Sequence, residues 1–282
     1  MTLPFPSLPT LGVGVSLSLT AEPDPLALAG SSGGPDFIEY AGQLDVEEIA
    51  PQTKRIRAAG VPLLFHPAYI NFCGSFQNSP AWLAETRRHI EQVNSPWFAQ
   101  DLAYCFWQEG PGYSAQLGGF IPPLLNRQAL ELAADRIVEV QNAIRLPLAI
   151  EPPPFSFVTG NMPLLSFFGE LAERCDCALL LDMGHLVSWE IASGQKLQES
   201  LSDLPVERVI EIHIAGGRLQ QYDTPLISTN PAVYVDAHES PILQPSWEML
   251  SLLLPLLTNL KAVCYECEGM SAATVLSTLG DL

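Results

Sequence analysis

The sequence predicts an α/β protein, a single (β/α)8 barrel over residues 1–282, from three observations. Eight short β-rich runs alternate with helix-period segments. The length of 282 residues suits a closed barrel, typically roughly 250 residues. Acidic or histidine residues recur at the end of nearly every run. An open doubly wound sheet of eight strands is the alternative, but it would not gather those ends around one centre.

The elements follow in order. Gly12 to Leu17 reads as the first strand, and the Pro/Gly-rich stretch behind it gives no clear helix. Asp36 to Tyr40 is the second strand, followed by a helix over Asp45 to Ala59 with Gly60 just past its end. Val61 to His66 is the third, and Ser79-Pro80 opens a helix running to Val93, proline being tolerated in a first turn. Phe98 to Ala103 is the fourth, and Asn126 caps a helix from Arg127 to Ile144. Leu148 to Glu151 is the fifth, with a helix over Pro163 to Arg174. Ala178 to Asp182 is the sixth, and Gln195 to Ser202 reads as its helix. Val209 to Ile214 and Ala262 to Glu266 complete the eight, with helices over Ser246 to Leu257 and Ala272 to Leu279.

A hydrophobic fraction of 48% with 16% charged residues provides for a large core. The 31 acidic residues against 13 basic ones give a net charge of -18. That field repels a phosphate backbone, and no Lys/Arg cluster reverses it locally, so neither nucleic acid nor an anionic membrane is an expected partner. Met1 to Thr10 lacks the basic and apolar regions of a secretory signal, so a cytoplasmic location is expected. The apolar stretch Met249 to Leu257 is interrupted by Pro255 and too short to span a bilayer, and reads as a buried helix. Six cysteines are expected to be buried structural thiols. Cys264 and Cys267 form a CxxC, but Cys175 and Cys177 are CxC and supply no matching second pair for zinc.

In a barrel, the C-terminal strand ends converge on one face. Reading those ends yields Glu39, His66, Asp101, Glu151, Asp182, His213 and Glu266, with His185 just after the sixth strand. Asp236 and His238 lie in the long connection after the seventh strand, in a DxH spacing that puts both side chains on one side of an extended chain. Imidazole and carboxylate together suit zinc, manganese and iron, and so many carboxylates in one apolar cup could not all ionise without cations between them. A site of two or three metal ions is therefore expected. Glu211 and Glu268 are weaker candidates, Glu211 sharing a strand face with His213. His89 follows Arg87-Arg88 in a helix and is expected to be solvated. Tyr69, Trp107, Phe155 and Trp189 follow strand ends and read as core before pocket wall. Gly12-Val13-Gly14 lacks the rest of a dinucleotide fingerprint, and neither a GxxxxGK[ST] phosphate loop nor a GxSxG elbow occurs.

Two stretches, VIEIHIAGG at 209–217 and VDAHESPILQPSW at 235–247, resemble the multinuclear non-haem iron-dependent oxidative enzymes of the methanobactin-biosynthesis type. GVGVSLS at 12–18, FIEY at 37–40, LLFHP at 63–67, SPWFAQDLAY at 95–104, AIEPP at 149–153 and LAERCDCALLLD at 171–182 extend the resemblance over nearly the whole chain. It implies a TIM barrel holding two or three metal ions, with iron first and zinc or manganese as alternatives. It further implies that dioxygen is used to modify cysteine residues of a peptide, with a small protein delivering that substrate. The implied ligands are His66, Glu151, Asp182, His213, Asp236, His238 and Glu266, with Glu39 near the site. The chain departs from the family pattern at Asp101, where a histidine is usual, at Pro152, and at Gly184-His185. Asp182-x-Gly184-His185 looks instead like the sugar isomerase and endonuclease IV barrels. The competing expectations are therefore metal-assisted isomerisation or hydrolysis of a small molecule, and a non-enzymatic metal-binding scaffold.

Overall fold

The computed structural model describes residues 5–40, 45–108, 114–221 and 232–282, with backbone alone for 106–108 and 114–118. In chain order the strands begin β1 (Gly12–Ser16), β2 (Ile38–Tyr40), β3 (Leu63–Phe65) and β4 (Phe98–Asp101). A hairpin of β5 (Tyr104–Gln108) and β6 (Ser114–Ile121) follows, then β7 (Leu148–Glu151), β8 (Ala178–Asp182) and β9 (Val209–Ala215). A second hairpin of β10 (Gly217–Gln221) and β11 (Ala232–Asp236) precedes β12 (Ala262–Glu266). Eight of these strands close in the order β1-β12-β9-β8-β7-β4-β3-β2, all neighbours parallel. Closure settles the choice against an open sheet, because β1 pairs with both β2 and β12.

The helices are α1 (Pro25–Ala29), α2 (Val46–Ala58), α3 (Pro80–Val93), α4 (Arg127–Ile144), α5 (Leu164–Cys175), α6 (Met183–Ser193), α7 (Gln244–Leu253) and α8 (Ala272–Leu279). The expected caps hold where their side chains can reach: the Asn126 side chain accepts from the Ala129 N–H at 2.9 Å at the start of α4. Gly60 takes φ +80° just beyond α2, a conformation that costs glycine nothing.

Period-two alternation divides the strands between two cores. Outward residues such as Ile38, Leu63, Phe65, Ile150, Leu179, Leu181 and Ile212 pack against the helices. Inward residues Phe37, Leu64, Ala99, Ala149, Ala178, Leu180, Ala262 and Cys264 fill the barrel, joined by Trp97 and by Phe5 from the N-terminal segment. Gly14 makes room for the Phe37 ring, which a Cβ there would approach to 2.5 Å. Between β8 and β9 the register shifts, Leu179 pairing with Val209 and Leu180 with Glu211, so Ile210 is an extra bulged residue. Ile210 therefore joins the inner core while Glu211 and His213 also face inward.

The structure corrects several expectations. Gln195 to Ser202 is not the α-helix after β8: a 3-10 segment covers Leu197–Asp203, and α6 starts directly at Met183. Because Met183 through Trp189 are all buried, α6 shows no polar face to betray its period. The β10–β11 hairpin lies in what reads as a long connection after the seventh strand, the β5–β6 hairpin follows the fourth, and β4 ends at Asp101 rather than Ala103. The predicted helix over Ser246 to Leu257 begins two residues earlier and gives way to a 3-10 turn at Leu254–Leu256, around Pro255. His89 is not solvated. It returns to the buried face of α3 with Thr86, Ile90 and Val93, and its ring stacks on Phe65 with centroids 5.3 Å apart. The six cysteines are all free and buried, as expected. Tyr69, Phe155 and Trp189 belong to the outer core, whereas the Trp107 side chain lies outside the described residues. Among the described residues, no helix is long and apolar enough to cross a membrane.

Candidate metal centre

The last inward residue of each strand forms a polar layer directly above the apolar filling of the barrel. Glu39 ends β2 inward, His66 follows β3, and Asp101, Glu151 and Asp182 close β4, β7 and β8. His213 lies on β9 and Glu266 ends β12. α6 and the β10–β11 hairpin contribute the remaining three, so all ten residues expected at the site converge on it.

Four overlapping groups have ligand atoms within 4.8 Å of one another: Glu39–His66–His213, His66–Asp101–Glu151, Glu151–Asp182–His185 and Asp182–His213–Glu266. His66 Nε2 stands 3.4 Å from Glu151 Oε2 and 3.6 Å from Asp101 Oδ2. The His213 ring lies between Glu39 Oε2, 3.3 Å from its Nε2, and Glu266 Oε1, 3.2 Å from its Nδ1. Asp236 joins through His185 Nε2 at 3.2 Å. His238 Nε2 approaches Asp236 Oδ2 at 3.3 Å and Glu266 Oε2 at 3.4 Å.

Local structure aims these groups. Asp182 caps α6, its Oδ1 accepting from the His185 N–H at 2.7 Å, which sets His185 one turn along and facing back into the cup. The His185 Nδ1 faces the Pro152 carbonyl at 2.9 Å, leaving Nε2 turned toward Asp236. In the hairpin, Gly217 pairs with Asp236. Neither glycine before it tolerates a side chain: a Cβ on Gly216 would stand 1.5 Å from the Glu239 carbonyl oxygen, and one on Gly217 2.1 Å from the Tyr234 ring. His238 takes φ +47°, a left-handed conformation unusual for a residue with a side chain, and so points back beside Glu266.

The electrostatics are those of a cup in which buried carboxylates outnumber buried imidazoles. Glu39, Asp101, Glu151, Asp182, Glu211 and Glu266 are buried beside only three buried imidazoles, His66, His185 and His213. Among the described residues, many atoms of these groups and of Asp236 find no hydrogen-bond partner: both Glu151 oxygens, Asp101 Oδ1, Asp182 Oδ2, Asp236 Oδ1, Glu266 Oε2, and the Nδ1 atoms of His66 and His213. Buried charge left in that state costs several kcal/mol per ion, on the order of a domain's whole stability when summed. The donor set of carboxylate oxygens and imidazole nitrogens fits first-row divalent metals.

Protons compete for the same atoms. Burial disfavours charge on His66, but its contact with Asp101 and the charges of Glu39 and Glu151 overcome this and raise it to about 9. Burial, then the Asp101 charge, pushes Glu151 up to about 8. Burial raises Asp182 to about 6 against the pull of His185. Burial opposes the trend on the hairpin side, where His238 and His213 hold Glu266 down at about 2.

Beyond the ten, Glu268 is not among the converging ligands but touches His238 Nδ1 at 2.6 Å, and Ser16 donates to its other oxygen. Glu211 accepts from the Trp97 indole N–H at 2.7 Å and lies 3.6 Å from His213 Nε2. Ser16 and Trp97 lie in stretches that carry the family resemblance, but the sequence singles out neither as a site residue. Glu268 and Glu211, the weaker candidates of the sequence, thus stand beside the histidines rather than among the ten.

The RiPP precursor modification enzyme family MbnB/TglH/ChrH matches residues 13–270. A UPF0276 protein of Streptomyces avermitilis is 25% identical over 252 residues, covering 87% of this chain and 48% of that protein. The chain thus spans about half the length of that relative. UPF0276 protein PA3283 of Pseudomonas aeruginosa is 23% identical over 261 residues, covering 92% of this chain and 81% of that one. Two solved barrels share the fold. D-psicose 3-epimerase of Clostridium cellulolyticum H10, with D-tagatose, aligns at TM-score 0.56 and 10% identity over 95% of this chain and 89% of that one. A xylose isomerase-like TIM barrel protein from Mycobacterium smegmatis, in complex with magnesium, aligns at TM-score 0.55 and 12% identity over 98% and 96%. The matched residues run from β1 past the end of β12 and include every residue of the polar layer, and the chain belongs to the RiPP precursor modification enzyme family MbnB/TglH/ChrH.

Proposed function

We propose that this protein is an oxidative enzyme that holds two or three iron ions in the cup and modifies a cysteine residue of a peptide substrate, which a small partner protein delivers. The observation that carries this reading is the buried layer of carboxylates and imidazoles without hydrogen-bond partners, in a chain of this family. With the imidazoles neutral, as ligands require, the six buried carboxylates carry six negative charges, a load matched by about three divalent cations.

Each element then has a task. His66, Glu151, Asp182, His213, Asp236, His238 and Glu266 would hold the metals, with Glu39, Asp101 and His185 completing the groups. When bound, iron would supply one-electron chemistry with dioxygen and affinity for a substrate thiolate. Glu268 orients His238, and the Pro152 carbonyl orients His185, each fixing which imidazole nitrogen is free. The apolar filling below, from Leu64 to Cys264, keeps water from reaching the cup through the barrel.

Protein loaded anaerobically with iron(II) is expected to consume oxygen when a cysteine-bearing peptide is added. Binding of zinc alone, with no oxygen uptake toward any thiol peptide, overturns the reading. A second reading is favoured by the Asp182-x-x-His185 pair and by the fold shared with a sugar epimerase: isomerisation or hydrolysis of a small molecule by a divalent metal. Manganese-dependent interconversion of a ketose that persists without oxygen would select it.

A further inference from the structure

A pair of hydroxyls stands behind the hairpin side of the cup. Tyr234 is only 2% exposed, whereas Val233 and Val235 on either side of it in β11 are partly open to solvent. Its ring is received by the bare Cα atoms of two glycines. A Cβ on Gly217 would meet the ring, and one on Gly184 would stand 2.4 Å from the phenol oxygen. Gly184 lies in the first turn of α6, where alanine would favour the helix, so its missing side chain needs another reason. The same point above Gly184 is 3.1 Å from Asp182 Oδ1, so phenol and carboxylate both flank one bare backbone position. Ser246, fully buried in the first turn of α7, places its hydroxyl beside the phenol. Tyr234 Oη, Ser246 Oγ and Asp182 Oδ2 are all buried and have no hydrogen-bond partner among the described residues.

Two hydroxyls and one carboxylate can satisfy one another in a single direction. A phenol both donates and accepts, a serine can donate to it, and a carboxylate only accepts. We propose that Ser246 and Tyr234 form a hydroxyl relay that donates onto Asp182 and fixes its carboxylate as a metal ligand. Tyr234 is thereby a positioning residue of the centre. The proposal rests on the reading of the cup as a metal centre, and extends it to two residues outside the ligand set.

The test uses the full chain, stripped of metal and titrated with manganese(II), followed by EPR, with circular dichroism as the fold control. Tyr234→Phe removes the hydroxyl and keeps the ring. It is expected to keep the fold and to bind at least one ion about tenfold more weakly, with an altered EPR line shape. Ser246→Ala is expected to move both readouts in the same direction by less. The double variant should be no worse than Tyr234→Phe alone, since the serine acts through the phenol. Wild-type affinity and line shape in Tyr234→Phe would overturn the proposal, as would fully additive effects. If Tyr234→Phe does not fold, Ser246→Ala decides by itself: weaker binding supports the relay and unchanged binding overturns it. A wild-type chain that takes up neither manganese nor iron would remove the metal reading, and this proposal with it.

Discussion

Glu268 Oε2 lies 2.6 Å from His238 Nδ1, while Ser16 donates its hydroxyl to the other carboxylate oxygen. A carboxylate held at both ends commits Nδ1 to carrying the proton and leaves Nε2 free, facing Asp236 and Glu266. Partners of this kind typically contribute 10–100-fold to metal affinity, to order of magnitude. Glu268→Ala is therefore expected to weaken metal binding by roughly that factor while the barrel folds normally. Glu268→Gln, which keeps an oxygen acceptor, should lose less. Chelator competition measures both, and wild-type affinity in Glu268→Ala would show that His238 needs no such support.

Metal affinity is expected to rise with pH between 6 and 9. His66, raised to about 9, and Glu151, raised to about 8, hold protons at neutral pH that metal must displace. Asp182, raised to about 6, adds a third below that value. The stability of the metal-free chain runs the other way. A group whose folded pKa lies above its unfolded one stabilises the fold at low pH, and that contribution is lost as pH rises through the folded value. The metal-free fold should thus lose stability as pH rises from about 4.5 to about 8 through Glu151, whose carboxyl burial holds up, and from about 6.5 to about 9 through His66, which Asp101, Glu39 and Glu151 hold up against its burial. The gap in Tm between metal-loaded and stripped protein should be wider at pH 9 than at pH 6. A gap that does not change with pH contradicts this linkage.

The polar layer is legible in the sequence because a strand in a closed barrel has one rule for its last inward residue. Glu39, Glu151, Asp182 and Glu266 each follow apolar strand residues, and no pairing register had to be known to place them at one end. What depended on register was hidden. Ser16 reaches Glu268 because β1 pairs with β12 level at Ser16 and Glu266, and Trp97 reaches Glu211 across the barrel interior. α6 escapes a sequence reading because it follows without a loop on Asp182, the strand's terminal residue and its own cap, and is buried on nearly every side. His89 was misread from its charged neighbours, although 100° per residue returns it to the face of Thr86 and Ile90.

Gly217→Ala is expected to damage the centre more than the fold. The added methyl would stand 2.1 Å from the Tyr234 ring, in the pair that sets Asp236, so hairpin and ring must separate. Overpacking of this kind costs about 1–3 kcal/mol. The eight-stranded closure does not pass through β10, so circular dichroism should change little while metal content drops. Gly119→Ala, where none of the described residues lies within 4 Å, is the control and should behave as wild type. Equal metal content in both variants would mean that the hairpin does not position its ligands through Tyr234.

If the cup holds metal, Asp101 and His185 should serve different ions. Asp101 belongs to the group with His66 and Glu151, and His185 to the group with Glu151 and Asp182, so only Glu151 is common to both. Asp101→Asn and His185→Gln are each expected to lose about one ion per chain, by removing one donor from one group. Glu151→Gln should lose about two, since both groups draw on it. Asp101→Asn also removes the neighbouring charge that, after burial, holds Glu151 up at about 8, so the remaining ion should load at lower pH than in wild type. Elemental analysis across the three variants, with loading followed against pH, reads both effects. Loss of all metal from Asp101→Asn alone would mean the ions bind as one cooperative unit, and the separate groups would not describe the centre.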